Sequence, residues 1–264
     1  TALRDDQGQG GLTDVPGSVI STVPGYKQEK DTQFAESTTW AAAVCMVPWQ
    51  LFSQYGDPQI VEENLEAMMN WLNGMSFYPL SDTYPHLSAK TGGLGDWLAM
   101  DDTTPVDLVN NAIYIHMMEV TAIMAEAVGR SDYARILRER HRLAKMEWNR
   151  AYVDPLSGQT RALDGRIVHS QTSYATPLNF NVFDELNQPR AEDFLARLST
   201  ETRTITTGFS GTPNILPALS RSGDAESAYR MIACTDYASW LYPVTQGATS
   251  IWERWNSVLD DGSI

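Results

Sequence analysis

The sequence predicts an all-α fold in which helical hairpins close into a toroid, and three observations predict it. Apolar residues recur at helical spacing in segments that arrive in pairs. No stretch shows the alternation of a half-buried strand, and no self-similarity appears at the roughly 34 to 47 residue periods of helical solenoids. The loops also differ widely in length and content, which equivalent stacked repeats would not show. A chain of 264 residues can bury one sizeable core, so a single domain over residues 1–264 is expected.

The first pair runs from Thr39 to Tyr55 and from Pro58 to Leu72, and only Gly56-Asp57 separates the two, a tight turn between antiparallel helices. The second pair opens on Thr104 as N-cap with Pro105 at the first helical position. Leu108, Ile115, Val120, Ile123 and Val128 then follow at helical intervals until Gly129. Ser131 is expected to cap its partner, which runs to about Tyr152. Shorter helices are expected over Thr172 to Phe183, Ala191 to Thr200, Asn214 to Ser220, Asp224 to Ala233 and Thr249 to Trp255, each bounded by Gly, Pro, Ser or Asp. The long connections Gly74 to Thr103 and Asp154 to Ser170 are rich in Gly, Pro, Tyr, Trp and His, a composition that suits the lining of a cleft.

Composition narrows the class of partner. The hydrophobic fraction is 42%, with no apolar run near the roughly 18 residues of a membrane span. A formal charge of -14 repels the phosphates of nucleic acid and of anionic lipid but is indifferent to an uncharged ligand such as a sugar. Cys45 and Cys234 lie far apart in apolar stretches and form no Cys-x-x-Cys pair, so both are expected to be buried thiols. Compartment and oligomeric state stay open.

The chemistry concentrates in Gln246-Gly247-Ala248-Thr249-Ser250-Ile251-Trp252-Glu253-Arg254-Trp255, where one carboxylate stands between two tryptophans beside an arginine. Tryptophan offers a flat apolar face to the C–H groups of a pyranose, and a carboxylate accepts hydroxyl hydrogens or deprotonates a water. Spacing alone leaves open a plainer alternative, a helix with core tryptophans and a surface Glu–Arg pair.

That phrase resembles the signature of the α-L-rhamnosidases of glycoside hydrolase family 78. Further phrases agree in the family's order: Trp40 followed by Val47-Pro48-Trp49 and Tyr55-Gly56-Asp57; Gly95-Asp96-Trp97-Leu98-Ala99; Gln171-Thr172; Thr206-Thr207-Gly208-Phe209 with Gly211-Thr212-Pro213; and Ser239-Trp240-Leu241-Tyr242. The resemblance implies an (α/α)6 helical toroid and an inverting hydrolase of terminal α-L-rhamnose, acting on a rhamnose-containing glycoside or oligosaccharide without a cofactor. Inversion uses two carboxyl groups roughly 6.5 to 9.5 Å apart, with a water between one of them and the sugar. Glu253 matches the general base, while Trp40 and Trp97 match walls of the rhamnose pocket. Asp96 matches an acidic loop position that could hold a sugar hydroxyl, with an N-cap role as the alternative. The family's acid-bearing motif, ending Glu-Arg-x-Gly-Trp-x-Gly-Asp, has no counterpart here, nor has its later histidine segment. The chain is therefore expected to be a toroid incomplete at both ends and inactive alone. Ala42 departs from the pattern, since many relatives carry an acidic residue there.

Two other readings remain, a non-catalytic carbohydrate-binding relative and another helical-toroid glycosidase with its acids in different loops. Several motifs lead elsewhere. Gly208-Phe209-Ser210-Gly211 lacks the spacing of a nucleophile elbow and no strand precedes it. His116 and Glu119 stand three apart on a helix, but His86, His141 and His169 complete no ligand pattern, so no metal is expected. Arg135, Arg138, Arg140 and Arg142 with Glu139 read as a solvated helix face carrying ion pairs.

Overall fold

The computed structural model describes residues 38–90, 94–100 and 103–258. Its helices are α1 (Thr38–Ala41), α2 (Ala43–Tyr55), α3 (Gln59–Ser76), α4 (Val106–Ala127), α5 (Ser131–Tyr152), α6 (Gln171–Asn179), α7 (Gln188–Thr202), α8 (Thr212–Arg221), α9 (Ala225–Ala233) and α10 (Tyr242–Thr245). Among the described residues no strand forms, and the extended pairing amounts to isolated bridges such as Pro79 with Ser88 and Val153 with Thr160. The all-α expectation holds. The chain divides into two compact units, Thr1–Gly95 with Val106–Ala151, and Asp96–Pro105 with Tyr152–Ile264.

The first unit is organised on α4. Its buried residues, including Leu108, Val109, Ala112, Ile115, Met118 and Thr121, lie on every side of the helix, the pattern of a helix surrounded by others. Against it packs α3, whose Val61, Leu65, Met68 and Leu72 are buried, and Ala134, Leu137, Ala144 and Trp148 of α5 are buried as well. Each large side chain removed from water contributes about 1.5 to 3 kcal/mol, so this apolar junction dominates the unit's stability. The Trp148 indole N–H donates to the Leu108 carbonyl at 3.0 Å, which satisfies a polar group that burial would otherwise leave unpaired.

The first expected pair is close to the observed one. Gly56 ends α2 in the left-handed region at φ 67°, and Asp57 accepts a hydrogen bond from the Gln59 N–H at 2.9 Å as α3 begins. The expected helix from Thr39 is interrupted at Ala42, and the second continues to Ser76. Ser131 begins α5 as expected, but its hydroxyl donates to Glu126 rather than capping the helix. The arginine run also differs from expectation at one place. Arg142 pairs with Glu139 in solvent, whereas Arg140 donates to the Asn73 side chain, the Leu72 carbonyl and the Tyr114 hydroxyl, at 2.9, 2.8 and 2.9 Å, and so ties α5 to the end of α3.

In the second unit α6 packs on α8 and α7, and α8 on α9. Ser170 caps α6 by accepting from the Ser173 N–H, and Asp224 caps α9 through Ser227. The expected helix to Phe183 stops at Asn179, because Pro177 removes one donor and Asn181 turns left-handed at φ 53°. Cys45 is buried and its thiol is pushed up to about 12 by desolvation, with the Thr121 hydroxyl pulling back. Cys234 departs from expectation, being only half-buried.

Candidate functional site

Asp96 and Trp97 lie on a turn segment of the second unit, where the chain must fold tightly enough for Leu98 to take φ 61°. The Asp96 carboxylate is largely buried and surrounded by donors. One oxygen accepts from the N–H groups of Ser210 and Gly211, each at 2.9 Å. The other accepts from the Gly208 N–H at 2.9 Å and from the Thr172 hydroxyl. Burial raises the carboxyl above its ordinary value, and these donors pull against it, Gly208 foremost. A carboxylate has about four acceptor positions, and protein groups fill all of them. Asp96 was expected to hold a sugar hydroxyl, with an N-cap role as the alternative; in this structure its carboxylate meets these four protein donors, and no helix begins over residues 97–100.

Close backbone approach explains the glycine in this loop. A Cβ on Gly208 would stand 2.2 Å from the Trp97 carbonyl oxygen and 2.4 Å from that of Asp96. Bare backbone at Gly208 lets the Phe209 N–H reach the Trp97 carbonyl at 2.9 Å, while the Met100 N–H reaches the Thr206 carbonyl at 2.9 Å. The loop is also gripped from α6. Gln171 accepts from the Thr206 N–H and donates to the Thr204 carbonyl, each at 2.9 Å. The phrase Gln171-Thr172 thus carries two side chains with one task, holding residues 202–211.

Glu253 is exposed, and Trp252 and Trp255, which flank it in sequence, are half-buried. The Trp255 indole N–H donates to the Thr207 carbonyl at 3.1 Å, and its ring meets Trp240 edge-on with centroids 5.9 Å apart. Trp252 stands edge-on to Tyr242 at 6.4 Å. The expected helix over Thr249 to Trp255 does not form, and the short helix α10 precedes this segment instead. Gly247 turns left-handed at φ 82°, Thr249, Ser250 and Ile251 are poor helix formers, and the two tryptophans are drawn to different partners. Trp240, Pro243, Ala248, Trp252 and Trp255 contribute to the wall of a cavity of about 250 Å³.

Trp97 and Trp255 are thus bonded to one loop, through Phe209 and Thr207 respectively. Trp97 keeps 39% of its surface exposed, enough to offer a ring face. Trp40 belongs to the first unit, half-buried on α1, and the neighbouring Thr39 hydroxyl donates to Asn110 of α4 at 3.1 Å. Sequence reasoning attached no role to Thr172, Thr207 or Trp240, although the glycines at 208 and 211 were a usable sign of close packing. Of the histidines, His116 meets Glu119 at 3.4 Å, and no group of three metal-ligating side chains occurs among the described residues.

Helical hairpins carrying an aromatic-flanked carboxylate are the architecture of the hairpin-built glycosidase domains. The chain belongs to the bacterial α-L-rhamnosidase six-hairpin glycosidase domain family, whose model matches residues 2–263. An α-L-rhamnosidase of Streptomyces avermitilis is 33% identical over 225 residues, covering 84% of this chain and 20% of that protein. One from Formosa agariphila is 28% identical over 229 residues, covering 84% of this chain and 24% of its own length. The crystal structure of the Streptomyces avermitilis enzyme complexed with L-rhamnose superposes with a TM-score of 0.84 at 29% identity, over 99% of this chain and 23% of that one. The native α-L-rhamnosidase of Aspergillus terreus gives 0.85 at 26% identity, over 100% and 30%. The fold is therefore that of the helical toroid domain, and the chain spans between a fifth and a third of the length of these relatives.

Proposed function

We propose that this chain is the base-bearing part of an α-L-rhamnosidase that releases terminal α-L-rhamnose with inversion. Family membership supports the reaction class, and one observation carries the site: an exposed carboxylate, Glu253, between two tryptophans whose rings are fixed by separate partners. Glu253 takes a proton from water as the water attacks the anomeric carbon. The bond from that carbon to the leaving oxygen breaks, and a carboxylic acid protonates that oxygen. Trp97 forms an apolar wall for the sugar ring and its methyl group.

The test is Glu253→Gln in the longer enzyme, assayed on an aryl α-L-rhamnoside. The amide preserves shape and one acceptor, so rhamnose binding is retained while turnover falls by about 10²- to 10⁴-fold, the usual loss with a general base. An unchanged rate removes the catalytic role. Retained binding in a wild-type parent that never hydrolyses the substrate favours the carbohydrate-binding reading instead.

A further inference from the structure

We infer that Asp96 is a positioning residue, a clamp whose carboxylate gathers the loop 207–211 and thereby holds Trp97 and the Glu253 segment in register. The clamp joins groups distant in sequence. Asp96 accepts from Gly208, Ser210 and Gly211 in one loop and from Thr172 at the start of α6. Three backbone N–H groups pointing at one carboxylate form a nest in which an anion is worth far more than an amide, whose NH2 would face donors. From this loop two bonds lead outward. The Phe209 N–H reaches the Trp97 carbonyl, adjacent to Asp96 itself, and the Thr207 carbonyl receives the Trp255 indole N–H, two residues beyond Glu253. The glycines are part of the same device. A Cβ at Gly211 would stand 2.2 Å from the Thr172 hydroxyl oxygen, just as one at Gly208 would meet the carbonyls of Asp96 and Trp97. Asp96 is spent on organising this loop, and Trp97 beside it is left free to present its ring.

The first experiment needs no activity and uses the chain itself. The chain's 8 tryptophans are labelled as 5-fluorotryptophan and assigned by single Trp→Phe replacements. In Asp96→Asn the ¹⁹F resonances of Trp97 and Trp255 shift or broaden, while Trp148, held between α4 and α5 in the other unit, stays where it is. Thr172→Val, which deletes only the hydroxyl donor, moves the same two resonances by less. It also serves as the deciding variant if Asp96→Asn fails to fold. Trp97 and Trp255 unmoved in a folded Asp96→Asn chain, or unmoved in Thr172→Val, overturns the clamp.

The second experiment rests on the rhamnosidase reading and uses the longer enzyme. A displaced but intact site loses rate, so Asp96→Asn lowers kcat by about 10- to 100-fold. KM stays within about twofold because the sugar contacts are made by other groups. The loss is the same on 2-, 3- and 4-deoxy-rhamnosides. If it vanishes on one deoxy sugar, Asp96 binds that hydroxyl directly and the inference is wrong. A parent without rhamnosidase activity defeats the proposed function, while the fluorine spectra still judge the clamp.

Discussion

His86 and Glu147 meet at 2.5 Å, ring Nδ1 to carboxylate Oε1, and the other Glu147 oxygen accepts the His86 backbone N–H at 2.8 Å. One buried side chain on α5 therefore holds the loop after α3 by both a ring and a backbone group. Glu147→Leu removes both acceptors and leaves the N–H unpaired, at a cost of about 2 to 3 kcal/mol. Glu147→Gln keeps an acceptor and loses less. Amide hydrogen exchange at His86 should accelerate strongly in the leucine variant and modestly in the glutamine one. Equal protection in both would show that the loop is held by something else.

Arg140 and Arg142 separate a half-buried fork from a surface pair. Arg140→Lys replaces a planar group serving three acceptors by a point donor that can satisfy fewer of them, and should cost about 1 to 2 kcal/mol in urea unfolding. Arg142→Ala, which loses only the exposed pair with Glu139, should leave the unfolding midpoint unchanged. Equal effects of the two substitutions would contradict the assignment of Arg140 to the packing of α3 on α5.

Gly208 tolerates no side chain. Since an added methyl group would press on backbone carbonyls that cannot swing away, Gly208→Ala should destabilise the second unit by at least about 3 kcal/mol. Gly165→Ala, with open space around its Cβ but φ at 87°, should cost only about 1 kcal/mol of backbone strain. Thermal melts of the two variants decide the matter, and a Gly208→Ala melt no lower than that of Gly165→Ala would refute the close approach.

Acid should loosen the first unit in two stages. Burial holds the His141 imidazole below its ordinary value of 6.5, Lys145 and His116 add to this, and Glu119 opposes it. A group whose folded value is depressed contributes fully above its unfolded value and loses that contribution as pH falls through the folded one. The His141 contribution is therefore lost below about pH 6.5. Glu119 is held down first by the hydrogen bond from His116, so its contribution is lost below its ordinary 4.5. Urea midpoints measured from about pH 7.5 downward should fall in both windows, and His141→Gln should flatten the upper one alone. An unchanged upper limb in that variant would assign the acid sensitivity elsewhere.

Local pattern made much of the fold legible. Gly56-Asp57 between two apolar-striped segments can only be a tight turn between helices, and Ser131 to Tyr152 was read to its observed bounds because polar and apolar residues alternate there with helical period. The helix expected around Glu253 fails to form for the opposite reason. Its Trp252 and Trp255 stand at helical spacing, yet their rings are claimed by Tyr242, Trp240 and the Thr207 carbonyl, partners up to 48 positions away.

Asp96 marks the same boundary at the site. The sequence by itself determined an all-helical, acidic chain with a carboxylate between tryptophans, because those properties reside in residue type and in spacing over one or two turns. Which oxygens of which carboxylate remain open to a ligand was decided only by tertiary structure. Gly208, Ser210 and Gly211 lie 112 to 115 positions from Asp96, and a hydrogen bond across that separation depends on how the intervening chain folds back, which local pattern does not encode.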